Sequence, residues 1–257
     1  SLMIAKCFIM NLSYYRLKSR EKMIIISFFV TVFIGGVLLS LPFASASGRA
    51  TPFIDALFTA TTSVCVTGLV VVTTATHWSL LGKIIILILI QIGGLGVITI
   101  TTTLMVAVGK KISLSSRILL GDAFNLETLK GLVRFLRRVF RGTFIVEGIG
   151  ALCYVPVFVP EYGMIRGIWY SVFHAISAFC NAGIDIVGDS SFVPYVHNIW
   201  ANVVTMALII FGGIGFVVWW DVLHVIREKI AGANRGMFNA FFLPIADLSF
   251  SSSSFFS

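Results

Sequence analysis

Charged side chains are scarce in this sequence. Lys, Arg, Asp and Glu make up 12% of its 257 residues, whereas hydrophobic residues make up 58% and the mean hydropathy is +0.99. A soluble domain carries about 25% charged residues, so the composition excludes an ordinary soluble enzyme or binding domain. It predicts an integral membrane protein.

Paired cysteine motifs are also missing. The four cysteines, Cys7, Cys65, Cys153 and Cys180, show no CxxC spacing, which argues against a zinc or disulfide framework. We expect them to be buried free thiols. The N-terminal stretch lacks the small-residue cleavage site of a signal peptide, so none is predicted.

Long apolar runs dominate what is present. Four of them reach the ~20 residues that a ~30 Å hydrocarbon core requires, namely 23–43, 84–108, 142–160 and 198–220. Two shorter runs, 52–64 and 167–179, make only roughly 20 Å of helix at ~1.5 Å per residue. Because a glycine-containing break follows each, we predict half-helices that enter the membrane and return, lining a wet cavity or buried in protein.

The basic residues predict the orientation. Most of the 19 lie before the first span, between the second and third, and after the fourth, which places both termini and the middle loop in the cytoplasm. The net charge of +8 therefore requires no nucleic-acid partner. The predicted organisation is a cytoplasmic N-terminus (1–22), a first unit (23–108), a basic linker (109–141), a second unit (142–226) and a low-complexity tail (227–257).

The chain repeats itself. "FTATTSVCVTGL" (58–69) aligns with "FHAISAFCNAGI" (173–184) at an offset of 115, and "IQIGGLGVI" (90–98) aligns with "IIFGGIGFV" (209–217) at 119. Both copies have the order span, outer half-helix, glycine-containing return, span. An ordered series with one topology indicates parallel duplication.

These repeated sequence motifs resemble those of the Trk/Ktr/HKT superfamily of potassium transporters, and within it those of the bacterial KtrB-type membrane subunits. The resemblance covers roughly residues 20–230. It implies an all-α membrane protein of tandem span, pore helix, filter loop and span units, like those of potassium channels. Members of the superfamily carry four such units, whereas this sequence has two, so we expect a fragment or truncated product.

Two loops are the predicted selectivity filter. A cation that sheds its water needs other oxygens, and backbone carbonyls supply them without a fixed charge that would trap the ion. Glycine allows the backbone conformations that such a lining requires. We predict a first loop and a second loop with these residues: Cys65, Val66, Thr67 and Gly68; Cys180, Asn181, Ala182 and Gly183.

The resemblance also implies the ion. In plant relatives a serine in place of the first-loop glycine accompanies sodium preference, and this chain has Gly68. It therefore implies potassium as the transported ion, with sodium as an activator in some relatives and no bound cofactor. The half-helix C-termini would add about −0.5 elementary charge each at the membrane centre.

A glycine-rich motif follows each loop. The glycines of the two motifs are Gly93, Gly94 and Gly96, and Gly212, Gly213 and Gly215. We reject a nucleotide-binding loop because neither motif follows a strand. We expect both to lie within a span, where small residues allow close helix packing, with a hinge as the alternative.

Three polar residues remain open. Asp185 is either a cation attractor at the pore mouth or an ordinary solvated residue. Glu147 is predicted to snorkel to the inner interface or to pair with a basic residue rather than to act on the ion. His174 is expected to be a packed, hydrogen-bonded histidine, since it has no further metal ligand at a suitable spacing.

The middle linker holds basic residues at helical spacing, Lys130, Arg134, Arg137, Arg138 and Arg141. They predict an amphipathic helix on the anionic inner leaflet. The alternative is a docking surface for a cytosolic regulator. The resemblance implies a homodimer in the cell membrane on a nucleotide-binding RCK ring of the KtrA type.

Two other functions stay as alternatives to ion conduction. An intramembrane enzyme would need a nucleophile and a base, for which Ser63 or Cys65 with His174 is the available set. It lacks a GxS context and a second acid, so we predict that the chain is not an enzyme. A non-conducting product that assembles with other subunits is the second alternative.

Overall fold

The computed structural model describes residues 19–96, 129–215 and five positions between 218 and 226. Every regular element among these residues is a helix, apart from one isolated bridge between Ser45 and Trp78. The predicted all-α class is therefore confirmed. The chain divides into two compact units, Ser1–Leu132 and Val133–Ser257.

Within residues 19–96, the first unit contains four α-helices and one short 3-10 helix. They are α1 (Ser19–Ser40), the 3-10 turn Pro42–Ala44, α2 (Phe53–Val64), α3 (Thr74–His77) and α4 (Leu80–Leu95). The expected half-helix 52–64 corresponds to α2 within one residue. The first span, expected over 23–43, ends earlier because Leu41 before Pro42 takes an extended conformation (φ −74°, ψ 148°).

Glycines bring the helices of this unit together. A Cβ placed on Gly35 of α1 would lie 2.8 Å from the Leu89 side chain and 3.2 Å from Ala60. On Gly36 it would lie 3.0 Å from Leu57. The pair therefore lets α1 approach both α2 and α4 closely, as small residues do between membrane helices.

Helix α5 (Leu129–Tyr162) begins at the end of the first unit and lies mostly in the second. It is followed by α6 (Met164–Phe179), the 3-10 turn Val193–Tyr195 and α7 (Ile199–Gly213). Only Gly163, with φ 77°, separates α5 from α6. The second half-helix thus begins at Met164 rather than at 167 as predicted. The reversal is tight, since a Cβ on Gly167 would lie 2.5 Å from the Val159 Cα.

The boundary expected between the basic linker (109–141) and the second unit (142–226) is wrong for the helix. Helix α5 runs without interruption through residue 141, and α1 likewise begins at Ser19, inside the segment predicted as N-terminus. The predicted basic face also needs correction. Arg138 is buried, together with Leu136 and Val139, whereas Arg137 and Arg141 are exposed.

One helix among the described residues is long and apolar enough to cross a membrane, Leu136–Tyr162. The predicted span 142–160 lies within it. The helices Ile25–Ser40, Leu80–Leu95 and Ile199–Gly213 are apolar but shorter. The predicted spans 84–108 and 198–220 continue into positions outside the described residues, as do the tail 227–257 and most of the linker.

Candidate functional site

The first predicted filter loop directly follows helix α2. Cys65 caps the helix with φ −82°, and Val66 then takes a left-handed conformation with φ 48°. The Thr67 N–H donates back to the Thr62 carbonyl at 3.0 Å, which closes the helix end in the manner of a Schellman motif. Gly68 is left-handed again, with φ 76°.

The second loop follows α6 with the same backbone. Cys180 caps the helix with φ −72°, and Asn181 and Gly183 have φ 60° and φ 66°. The Ala182 N–H donates to the Ser177 carbonyl at 2.8 Å. Each of these positions lies 115 residues after its counterpart in the first loop. The residues that align in sequence therefore also have the same backbone conformation.

Hydroxyls tie both loops to the helices that precede them. Thr62 Oγ1 lies 2.6 Å from Thr67 Oγ1 and accepts the Leu69 N–H at 2.9 Å. At the matching position, Ser177 Oγ donates to the Ile184 carbonyl at 2.5 Å. Both anchoring residues are buried. The hydroxyls of this stretch therefore shape the loops.

The loops leave carbonyl oxygens available. Within the described part of the chain, no N–H or O–H group donates to the carbonyls of Val66, Thr67 and Gly68. The same holds for Asn181, Ala182 and Gly183. A buried or membrane-embedded carbonyl needs a partner, and a cation that has lost its water is one.

The C-termini of two helices give the surroundings of the loops a negative electrostatic potential. The C-termini of α2 and α6 end at Val64 and Phe179, directly before the loops. A helix C-terminus carries about −0.5 elementary charge, concentrated in its last turn. No acidic side chain belongs to either set of four loop residues. The local field therefore favours a cation without placing a carboxylate in the loop itself.

The second loop borders a cavity of about 260 Å³ inside its own unit. Asn181 and Gly183 are exposed and line it, and Ala182 between them is buried. Alternate residues of the loop thus face open space and protein. In the first loop Cys65 and Thr67 are exposed, and Val66 and Gly68 are half-buried.

The first glycine of each glycine-rich motif lies against the end of a half-helix. A Cβ on Gly93 would overlap the carbonyl oxygen of Val64, and a Cβ on Gly212 would overlap that of Phe179. Gly213 has only its neighbour Asn181 at an ordinary 3.9 Å from such a Cβ, and Gly94 is exposed. Close approach to a half-helix is thus shown for the first glycine of each motif, Gly93 and Gly212.

The last glycine of each motif ends the described helix, while much of the remainder of each predicted span lies outside the described residues, so the place of both motifs within a span stays a prediction. Gly96 has φ 84° and follows the last residue of α4. Gly215 has φ 90° and lies two residues beyond α7. A residue in the left-handed backbone conformation interrupts an α-helix, so each described helix ends at its glycine-rich motif.

Asp185 folds back on its own segment. Its carboxylate accepts the Val187 N–H at 3.1 Å and the hydroxyl of Ser191. It is half-buried and lines the cavity beside the second loop. Asp185 is therefore hydrogen-bonded to its own segment rather than simply solvated, and its attraction of cations at the pore mouth stays a prediction.

Glu147 is buried and does not extend into solvent. Its side chain is 4% exposed on the buried face of α5. Its Oε1 accepts the Cys180 thiol at a donor–acceptor distance of 3.9 Å. The sequence did not indicate this neighbour, because 33 residues separate the two and one begins the second loop.

His174 is packed and hydrogen-bonded. Its Nδ1 lies 2.7 Å from the Tyr170 carbonyl oxygen, and its Nε2 accepts the Ile186 N–H at 3.4 Å. Its ring stacks on Phe158 with centroids 4.9 Å apart. Both ring nitrogens are thus engaged, and Ser63 donates to the Thr59 carbonyl, which leaves the enzymatic alternative without a free base.

Comparison with known proteins identifies the family of the chain. The family model for TrkH, a cation transport protein, matches residues 2–243. The chain belongs to the TrkH family. This is a family of cation transporters rather than of enzymes, and membership makes the chain a membrane protein.

Three curated relatives of this chain are informative. The potassium/sodium uptake protein NtpJ of Enterococcus hirae is 46% identical over 82% of this chain and 47% of its own length. The Ktr system potassium uptake protein B of Bacillus subtilis is 42% identical over 79% and 45%, and that of Vibrio alginolyticus is 39% identical over 78% and 44%. The chain thus spans about half the length of these relatives.

Proposed function

We propose that this chain forms part of a channel-like pore subunit for potassium uptake, in which backbone carbonyls of the two loops coordinate the ion. One observation carries the proposal. Two loops 115 residues apart share the same left-handed positions and the same helix-end hydrogen bond, and their carbonyls accept no bond from other described groups. The uptake of potassium named for the relatives is consistent with this.

The ion would move down its electrochemical gradient. Carbonyl dipoles replace its water, and the helix ends behind them favour a positive charge without binding it irreversibly. We propose potassium as the transported ion. Sodium is a further proposal, either as a second cargo or as an activator, and the name of the Enterococcus hirae relative supports it.

We further propose a place in the plasma membrane with a cytoplasmic N-terminus, based on the distribution of basic residues. A homodimer and a cytosolic nucleotide-binding RCK subunit of the KtrA type complete the assembly. The name "Ktr system" of the relatives supports an assembly of several components. A chain that conducts only together with other subunits or units remains compatible with these proposals.

Growth of cells that lack potassium uptake tests the proposal. The protein, expressed from its complete gene, is expected to restore growth at low external potassium. Gly68→Asp and Gly183→Asp are each expected to abolish the rescue, because a side chain strains a left-handed position and a carboxylate traps the cation. Rescue that persists in both variants would disprove the filter assignment.

A further inference from the structure

The buried hydroxyls of Thr62 and Ser177 hold their loops with opposite polarity. Thr62 Oγ1 accepts the N–H of Leu69, the residue directly after Gly68, at 2.9 Å. At the aligned position of the second unit, Ser177 Oγ donates to the carbonyl of Ile184 at 2.5 Å. The first half-helix therefore holds a backbone N–H of its loop, whereas the second holds a backbone carbonyl.

The bond from Leu69 determines the direction of the Gly68 carbonyl. The Leu69 N–H and the Gly68 C=O belong to the same planar peptide group, and the described residues contain no cis peptide bond. In a trans peptide the N–H and the C=O point in opposite directions. Because the N–H is directed at Thr62 on α2, the Gly68 carbonyl is directed away from that half-helix.

The second unit has the reverse arrangement one peptide later. The Ile184 carbonyl is directed at Ser177 on α6, so it is withdrawn toward the half-helix and is not presented on the other side of the loop. Ile184 is 2% exposed, whereas its counterpart Leu69 is 61% exposed. Of the two hydroxyls, that of Thr62 is therefore the one that orients the carbonyl of a loop glycine.

A glycine carbonyl needs such an anchor. Glycine tolerates the backbone conformations on both sides of a peptide rotation, so Gly68 alone does not hold its carbonyl in one direction. Thr62 is 3% exposed, its carbonyl accepts the Thr67 N–H at 3.0 Å, and its Oγ1 lies 2.6 Å from Thr67 Oγ1. The hydroxyl that receives the Leu69 N–H is thus itself fixed in place.

We propose that Thr62 is a positioning residue of the first loop, which holds the Gly68 carbonyl toward the ion path and thereby raises the preference for potassium over sodium. Thr62 acts through the Leu69 N–H and does not touch the ion. Carbonyls select an ion through their number and field strength, and a carbonyl that turns away from the path contributes to neither. Without the hydroxyl, the peptide samples both directions and the preference weakens. This inference rests on the proposed function.

The test is rubidium uptake in the presence of competing sodium, by cells that express the complete gene at equal levels in the membrane. Thr62→Val keeps the size and branching of the side chain and removes the hydroxyl. We expect the preference for rubidium over sodium to fall roughly three- to tenfold, the effect of one lost hydrogen bond. Thr62→Ser keeps the hydroxyl and is expected to retain the wild-type preference.

Thr61→Val is the matched control. Thr61 precedes Thr62 on α2, is exposed, and its Oγ1 donates to the Leu57 carbonyl of the same helix at 2.7 Å. The substitution is chemically the same and leaves the bond between the Leu69 N–H and Thr62 in place. We expect its preference for rubidium over sodium to equal that of the wild type.

Each result bears on the inference. A wild-type preference in Thr62→Val overturns it, and so does an equal loss in Thr62→Ser, since the methyl group would then matter rather than the hydroxyl. An equal loss in Thr61→Val overturns it as well, because any lost hydroxyl of α2 would then have the same effect. If Thr62→Val does not accumulate in the membrane, Thr62→Ala removes the same hydroxyl and decides in the same way. Absence of uptake by the wild type would instead overturn the proposed function.

Discussion

At the scale of residues, Val66 and Asn181 occupy the same backbone position with unlike side chains. Both have positive φ directly after a helix cap. Asn tolerates this conformation, whereas a β-branched residue is strained there by about 1–2 kcal/mol. The Thr62 contacts to Thr67 and Leu69 hold the strained turn in place.

Exchanging these two residues tests the strain. Val66→Asn is expected to stabilise the protein, and Asn181→Val to destabilise it, each by about 1 kcal/mol. The measurement is the thermal unfolding midpoint of the detergent-purified protein. Opposite shifts support the left-handed assignment. Shifts of the same sign, or a lower midpoint for Val66→Asn, would contradict it.

Sequence reasoning identified Gly68 and Gly183 because glycine marks left-handed positions. It missed that each loop has a second such position. At Asn181 a signal was available, since Asn is common after a helix end. At Val66 the residue type gives none, and only the alignment with Asn181 carried the information.

At the scale of elements, the ends of helices decide the site. Two half-helices stop at Cys65 and Cys180, and the helices that follow them pack one glycine against each stop. This contact fixes the loop carbonyls relative to the next helix. A side chain there would push the half-helix and the loop out of place.

Adjacent glycines offer a matched pair of variants. Gly212→Ala is expected to lower stability by about 1–3 kcal/mol, because its Cβ meets the Phe179 carbonyl oxygen. Gly213→Ala introduces the same methyl group with only an ordinary contact at 3.9 Å and should be nearly neutral. Thermal midpoints in detergent measure both. Equal midpoints would show that Gly212 is not a packing position.

The short helices were predictable, and their boundaries partly so. The apolar run 52–64 and the glycine-containing break after it predicted α2 within one residue. The start of α6 was missed because Gly163 alone reverses the chain, which leaves no polar loop to recognise. The breaks at Gly96 and Gly215 were missed because apolar residues surround them.

At the scale of the whole molecule, the chain has two compact units, and each of them carries one loop that follows the end of a helix. Composition alone indicated a membrane protein, and the repeat indicated two similar units. Sequence could not predict the buried place of Glu147, because the contact with Cys180 joins two helices that are distant in the chain. The chain spans about half the length of its relatives from Enterococcus hirae and Bacillus subtilis.

In the proposed function, the left-handed glycines shape a carbonyl lining that is selective for potassium. The most direct measurement is rubidium uptake in the presence of competing sodium, by cells that express the complete gene. Gly68→Ala and Gly183→Ala are each expected to reduce rubidium uptake or its preference over sodium by about tenfold, because a Cβ costs roughly 1–2 kcal/mol in this conformation.

Gly188→Ala is the control in that measurement, since a Cβ there meets nothing within 4 Å and its φ is not left-handed. We expect wild-type uptake and preference for Gly188→Ala, with the loss confined to Gly68→Ala and Gly183→Ala. Unchanged rubidium uptake and unchanged preference over sodium in both loop variants would contradict it.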